Sequence, residues 1–123
     1  MRKLIFILTL FAGFTLWQSC EYDWVETEPV ITPDTVSFSQ NIIPIFERGC
    51  NAGVCHGDGG KNPILTSADA YGSLTNGGYV DTATPENSII YTEMADGGEM
   101  NKYTQYGDSD LVLKWIQQGA LNN

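Results

Sequence analysis

The sequence is organised around Cys50-Asn51-Ala52-Gly53-Val54-Cys55-His56, which we call the motif. Two cysteines lie close together, and a histidine follows the second cysteine directly. His56 is the only histidine of the 123-residue chain, and Cys20 is the only cysteine outside the motif. A short stretch that gathers the single imidazole and two of the three thiols indicates a site where these side chains act together.

Two nearby thiols followed by a histidine form the pattern by which haem is attached covalently to proteins. The thiols add to the vinyl groups of the porphyrin, and the adjacent imidazole binds the iron. The usual form is C-x-x-C-H, whereas four residues separate the cysteines here. The motif therefore predicts one covalent haem c, attached through Cys50 and Cys55 with His56 as an axial iron ligand.

The N-terminal residues have the features of an export signal. Two basic residues precede an apolar run over residues 4–14, which is too short and wrongly flanked for a stable transmembrane anchor. Ser19-Cys20 resembles a bacterial lipobox in the looser form of Bacteroidetes lipoproteins. Residues 1–19 are therefore predicted to be a lipoprotein signal peptide, and Cys20 is predicted to carry the lipid. The alternative is an ordinary signal peptide with Cys20 as an incidental thiol.

The mature chain is strongly acidic. Without residues 1–19 it has four basic and fifteen acidic residues, and its net charge is −11. A nucleic-acid partner is not expected, because the phosphate backbone requires a basic surface. An acidic surface favours solubility and can steer a basic redox partner. Residues 20–35 combine acids with two prolines and are predicted to be an extended tether after the lipidated cysteine.

Residues 36–123 are predicted to form one all-α domain of about four short helices joined by glycine-rich loops. In the first helix, Ser37 and Gln40 fit a capping box, and Pro44 is expected to kink the helix or tighten its first segment. Neither a strand pattern nor an internal repeat is present. The predicted helices begin near Ser37, Ser67, Pro85 and Asp108.

Taken together, these features resemble small c-type cytochrome domains, and most closely those of Bacteroidetes lipoproteins and the related planctomycete type. The resemblance covers roughly residues 36–121. In such domains the helices before the first cysteine and at the C-terminus pack together and frame the haem pocket. The matching stretches are 36–46, the motif with Gly57, 65–67, 85–91 and 113–120, which contains Trp115-Ile116-Gln117-Gln118-Gly119-Ala120.

The resemblance also implies a methionine as the second axial ligand, placed between the third and last helices. Met100 occupies that place in a loop, although Asn101-Lys102 follow it where the family often has prolines. Met94 lies at helical spacing from Ile90 and is expected to fill the core. Met100 is therefore the predicted distal ligand, and Met94 or an open site are the alternatives. A second histidine ligand is impossible within this chain.

The predicted function is that of a membrane-tethered monohaem electron carrier rather than an enzyme, with an unidentified redox protein as partner. Its lipid would anchor it to the outer or cell membrane, facing the periplasm or the cell surface. The alternative is a haem-free structural or binding lipoprotein with a Cys50–Cys55 disulfide. Zinc at the motif lacks a fourth soft ligand, and peroxidase activity would require an open distal site and usually a second haem.

Overall fold

The computed structural model describes residues 32–123, so the predicted signal peptide, Cys20 and the tether up to residue 31 lie outside the described residues. Within that range the chain is helical and contains no strand. The prediction of an all-α domain with four short helices is confirmed. The helices are α1 (Ile43–Gly49), α2 (Ala70–Asn76), α3 (Ile89–Met94) and α4 (Asp108–Gln117).

A π-helical turn over Phe38–Ile42 precedes α1 and begins at the predicted cap. The Ser37 side chain accepts a hydrogen bond from Gln40 N at 3.3 Å, as predicted, but Asn41 Oδ1 rather than the Gln40 side chain accepts from Ser37 N, at 2.8 Å. Gln40 therefore does not complete the predicted capping box. Pro44 then occupies the first turn of α1. The expected tightening of this segment is wrong, since the turn before Pro44 is wider than an α-helix. A wide turn relieves the clash that the proline ring would have with the carbonyl four residues earlier.

The core forms where α4 packs on the chain around Phe38. Val112, Trp115 and Ile116 of α4 have no exposed surface. The Phe38 ring lies 5.0 Å from the Trp115 ring and 5.3 Å from the Tyr71 ring, measured between centroids. Aromatic pairs at such distances stabilise a fold beyond the area that they bury. The first turn and the last helix are therefore one packing unit.

The C-terminal residue closes this unit. The Asn123 backbone carbonyl accepts a hydrogen bond from Ser39 N at 2.9 Å, and the Asn123 side chain accepts one from Phe38 N at 2.8 Å. These N–H groups begin a helical segment and have no partner within it. Asn123 thus caps the Phe38–Ile42 turn, although it lies 85 positions after Phe38 in the sequence.

The middle helices begin later than the sequence predicts. At α2 the Thr66 hydroxyl donates to Asp69 Oδ2 at 2.8 Å, and Asp69 N and Ala70 N donate to Thr66 O. The predicted cap at Ser67 is therefore wrong, because Thr66 forms the local bonds that start this helix. The segment at Pro85 is a separate 3₁₀ turn, Pro85–Asn87, and α3 follows it.

The last helix matches its prediction closely. It covers Asp108–Gln117, and Gly119 has a φ of 94°, in the left-handed region that a glycine beyond a helix end commonly adopts. Among residues 32–123, none of the helices has the length and apolar character needed to cross a bilayer.

Candidate functional site

One cleft is lined by all the side chains that the sequence nominates for cofactor binding within the described residues. Its volume is about 400 Å³, which lies in the range of small-ligand pockets. The five nominated side chains on its wall are Cys50, Cys55, His56, Met94 and Met100. The remaining lining is largely apolar and includes Val54, Pro63, Leu65, Tyr79, Ile89, Ile90 and Tyr103.

A larger cleft of about 490 Å³ lies between α3 and the start of α4. Polar residues such as Asp96, Asn101, Gln105 and Asp110 line it, and it contains no cysteine, histidine or methionine. Size alone would favour this cleft. The chemistry of the side chains favours the smaller one, because only that cleft offers sulfur and imidazole groups.

The motif forms a closed turn after α1. His56 N donates a hydrogen bond back to Cys50 O at 3.1 Å, and Cys55 N donates to Ala52 O at 2.8 Å. Val54 lies in this turn and is 87% exposed. The two residues added to the usual spacing are therefore accommodated in an exposed turn at the rim of the cleft, while a backbone hydrogen bond holds the two ends of the motif together.

The loop after the motif folds back onto it, and this close approach requires glycine. A Cβ atom at Gly57 would lie 2.5 Å from Asn51 O, and one at Gly60 would clash with Cys55 O. Both obstructing atoms belong to the backbone, so a side chain at either position would displace the motif itself.

The His56 ring is oriented by its Nδ1 atom. Nδ1 lies 2.9 Å from Pro63 O and 3.1 Å from Lys61 O. Both partners are carbonyl oxygens and only accept hydrogen bonds, so Nδ1 carries the proton. The lone pair of the neutral ring is then on Nε2. Metal-binding histidines are commonly held in this way, with the other ring nitrogen donating to a backbone carbonyl.

The two motif cysteines are free thiols in different surroundings. Cys50 is half-buried at the end of α1, whereas Cys55 is exposed. Burial raises the pKa of the Cys50 thiol; the Asp108 carboxylate raises it further, and the Arg48 guanidinium opposes the shift. Cys50 is therefore a weaker acid than an ordinary cysteine thiol.

Both methionines of the described chain border the cleft. Met94 ends α3 and is 2% exposed, in agreement with its predicted place in the core. Met100 is half-buried in the loop after α3. Met94 is the alternative distal ligand, and it both fills the core and borders the same cleft as Met100.

The Met100 loop is bonded back to the end of α3. Met100 N donates to Glu93 O at 2.9 Å, and the Asn101 side-chain amide donates to Met94 O at 3.0 Å. These carbonyls lie at a helix C-terminus, where no helical N–H is available to them. Asn101 stands where the resemblance implies proline, and its amide restrains the loop by a different means.

The same loop touches α1 on its other side. Beyond Met100 the chain forms a 3₁₀ turn, Asn101–Tyr103. A Cβ atom at Gly49 would lie only 2.8 Å from Tyr103 O, so Gly49 permits this approach. The loop is thus held between α3 and the residue directly before Cys50. Sequence reasoning missed this role of Gly49, since nothing local to the residue indicates what approaches it.

An ion pair joins the end of α1 to the start of α4. Arg48 Nη2 lies 2.6 Å from Asp108 Oδ1, and Asp108 Oδ2 accepts a hydrogen bond from Gln105 N at 2.8 Å. Asp108 is buried, with 6% of its surface exposed. The partners are 60 positions apart, so no spacing rule could have paired them.

Within residues 32–123, no three cysteine, histidine or carboxylate side chains are grouped so that they could hold a metal ion, and this includes Cys50, Cys55 and His56. Comparison of the chain with protein families, curated proteins and solved structures finds no match.

Proposed function

We propose that this protein is a membrane-tethered monohaem c-type cytochrome that transfers electrons. The arrangement of His56 carries the proposal: its Nδ1 is bonded to Pro63 O, its Nε2 retains the lone pair, and the ring borders a cleft that also contains two free thiols. Neither a disulfide nor a solvent-exposed histidine would require an oriented imidazole ring beside two free thiols. A haem iron needs an oriented imidazole beside the two attachment points.

Each residue has a defined role in this proposal. Cys50 and Cys55 hold the haem by thioether bonds, each formed by adding S–H across one vinyl group. His56 Nε2 and the Met100 sulfur would be the two side-chain groups that hold the iron. When bound, haem supplies the one-electron Fe(III)/Fe(II) couple.

The cleft lining sets the conditions for electron transfer. Leu65, Tyr79 and Ile90 give the cleft an apolar wall. An apolar wall and a thioether ligand would both raise the reduction potential relative to an exposed iron with two histidine ligands. The carbonyls of Lys61 and Pro63 fix the His56 ring, so little reorganisation accompanies a change of iron charge.

The same proposal places the domain at a membrane through a lipid on Cys20. The acidic mature chain would attract a redox partner with a basic surface, and this attraction would weaken as the salt concentration rises. No substrate is converted in this scheme, because the chain only accepts and passes on an electron.

Covalent haem attachment tests the proposal. The full chain would be exported in a host that has the periplasmic haem-attachment machinery, separated on a denaturing gel, stained for haem peroxidase activity and weighed intact. We expect a stained band and the mass of one haem plus lipid. Replacing both motif cysteines by alanine should abolish the stain, whereas Cys20→Ser should remove only the lipid.

The alternative function makes the opposite prediction. An unstained band whose mass is that of the haem-free chain less two hydrogens would refute the proposal. It would instead indicate a haem-free lipoprotein with a Cys50–Cys55 disulfide.

A further inference from the structure

The Arg48–Asp108 pair lies beside one of the two attachment points of the proposed site. Arg48 is in the last turn of α1, two residues before Cys50, and Asp108 is the first residue of α4. The two charges are close enough to Cys50 for both to act on the pKa of its thiol, in opposite directions. Neither side chain lines the cleft, but Arg48 directly precedes Gly49 and Cys50, which do, so the pair would lie behind the edge of a haem held by Cys50.

The two charges of the pair are screened unequally. The Asp108 side chain is 9% exposed, whereas the Arg48 side chain is 42% exposed. Water and ions screen a half-exposed guanidinium more effectively than a buried carboxylate. The pair therefore leaves a net negative field on the protein side of Cys50, although its formal charges cancel.

Packing alone does not account for a charge at residue 108. Replacing a buried ion pair by apolar side chains is often neutral or stabilising, so the pair is weak support for a purely structural role. Asp108 is also held in place, since its second carboxylate oxygen accepts from Gln105 N. A buried charge that is fixed in position changes the electrostatic potential at a nearby cofactor by a constant amount.

We propose that the Arg48–Asp108 pair tunes the reduction potential of the iron, with the buried carboxylate lowering it and the guanidinium raising it. This inference rests on the proposed function. Ferric iron carries one more positive charge than ferrous iron, so a nearby negative charge favours the ferric state. Both residues act through space on the iron and are positioning residues rather than ligands.

The expected size follows from Coulomb's law. A unit charge at about 10 Å in an effective dielectric of about 20 changes a one-electron equilibrium by roughly tenfold. A tenfold change corresponds to about 59 mV for one electron. Asp108→Asn should therefore raise the potential by an amount of this order. Arg48→Gln should lower it by less, because the guanidinium is better screened.

The test is an equilibrium redox titration of the haem-bearing full chain, followed by its visible spectrum. It compares the wild type, Asp108→Asn, Arg48→Gln and the double variant, in which a rise smaller than that of Asp108→Asn should remain because the Asp108 shift is the larger of the two. Glu86→Gln is the matched control, since Glu86 is an exposed carboxylate that accepts a hydrogen bond from Gln117, at the opposite end of α4 from Asp108. We expect that control to change the equilibrium by less than about twofold.

Opposite shifts in the two single variants would support the inference. A merely structural pair predicts shifts of the same sign, because either loss would loosen the same contact. Same-sign shifts, or shifts no larger than the control, would overturn it. If Asp108→Asn does not fold, Arg48→Gln is compared with Arg48→Lys, which keeps the positive charge: a potential lowered only in Arg48→Gln supports the inference, and equal potentials in the two variants overturn it. Wild-type chain without covalent haem would refute the proposed function and the inference with it, whereas haem-bearing variants of equal potential would refute the inference only.

Discussion

Gly49→Ala is the substitution that most directly tests how the Met100 loop is held. Alanine usually stabilises a helix relative to glycine by about 1 kcal/mol, so the helical position of Gly49 alone predicts a gain. The structure predicts the opposite. The new Cβ atom would lie 2.8 Å from Tyr103 O, about 0.6 Å short of the ordinary contact distance of 3.4 Å.

The clash cannot be relieved by turning a side chain, because the obstructing atom is a backbone carbonyl. The Asn101–Tyr103 turn would have to move away from α1 and take Met100 with it. Overpacking of this kind costs about 1–3 kcal/mol, which exceeds the gain from helix propensity. We therefore expect a net loss of up to about 2 kcal/mol in the free energy of unfolding.

Gly72→Ala is the matched control. Gly72 lies inside α2, and a Cβ atom there would meet only Asn76 Nδ2, at an ordinary distance of 3.7 Å. This control should stabilise the protein by up to about 1 kcal/mol. The measurement is thermal unfolding of the haem-free chain followed by circular dichroism. For a domain of this size, 1 kcal/mol shifts the Tm by about 4–8 °C.

The two variants should therefore move the Tm in opposite directions. If Gly49→Ala raised the Tm as much as Gly72→Ala does, the close approach of α1 to Tyr103 would not exist in solution. The Met100 loop would then be held by its hydrogen bonds to α3 and not by α1.

Three further predictions concern the distal loop and the response to acid. Met100→Ala in the haem-bearing protein should abolish the thioether–iron charge-transfer band, and Met94→Ala should leave it; an unchanged band in Met100→Ala would exclude Met100 as ligand. Asn101→Ala should lower the free energy of unfolding, measured in urea, by about 1 kcal/mol, because Met94 O loses its hydrogen-bond partner. Equal stability of the variant and the wild type would mean that the Asn101 side chain does not restrain the Met100 loop. Hydrogen bonds from the Thr84 hydroxyl and then from backbone N–H groups lower the pKa of the Asp81 carboxyl. Asp81 therefore contributes stability that is present above about pH 4 and is lost as the pH falls through the lowered pKa of the folded state. Asp81→Asn should for this reason reduce the loss of stability at acid pH in a plot of unfolding free energy against pH. An unchanged loss of stability at acid pH would count against this.

The lengthened motif shows how much of the site depends on backbone closure. Four residues between the cysteines would separate the thiols if the chain were extended. The hydrogen bond from His56 N to Cys50 O closes the segment, and the exposed turn around Val54 absorbs the added length. The loop from Gly57 to Gly60 then supports the turn from behind. The extra residues thus alter the outside of the motif more than its ends.

Features that depend on neighbouring residues could be predicted from the sequence. The cap at Ser37, the extent of α4 and the glycine after it follow from hydrogen bonds and backbone conformations within a few residues. The all-α class follows from the same local signals. Local rules failed at Ser67, because Thr66 and Asp69 formed a competing turn that the capping preference alone does not distinguish.

The sequence by itself determined which side chains are available to the site: one imidazole, two motif thiols and two methionines of the mature chain. Only the tertiary structure decided how they are arranged. The proton on His56 Nδ1 depends on where Pro63 O lies, the position of the Met100 loop depends on Gly49 meeting Tyr103, and the charge beside Cys50 comes from a residue at the start of α4. Composition sets the chemistry that is possible, whereas contacts between distant segments arise only when the whole core packs, so no local pattern records them.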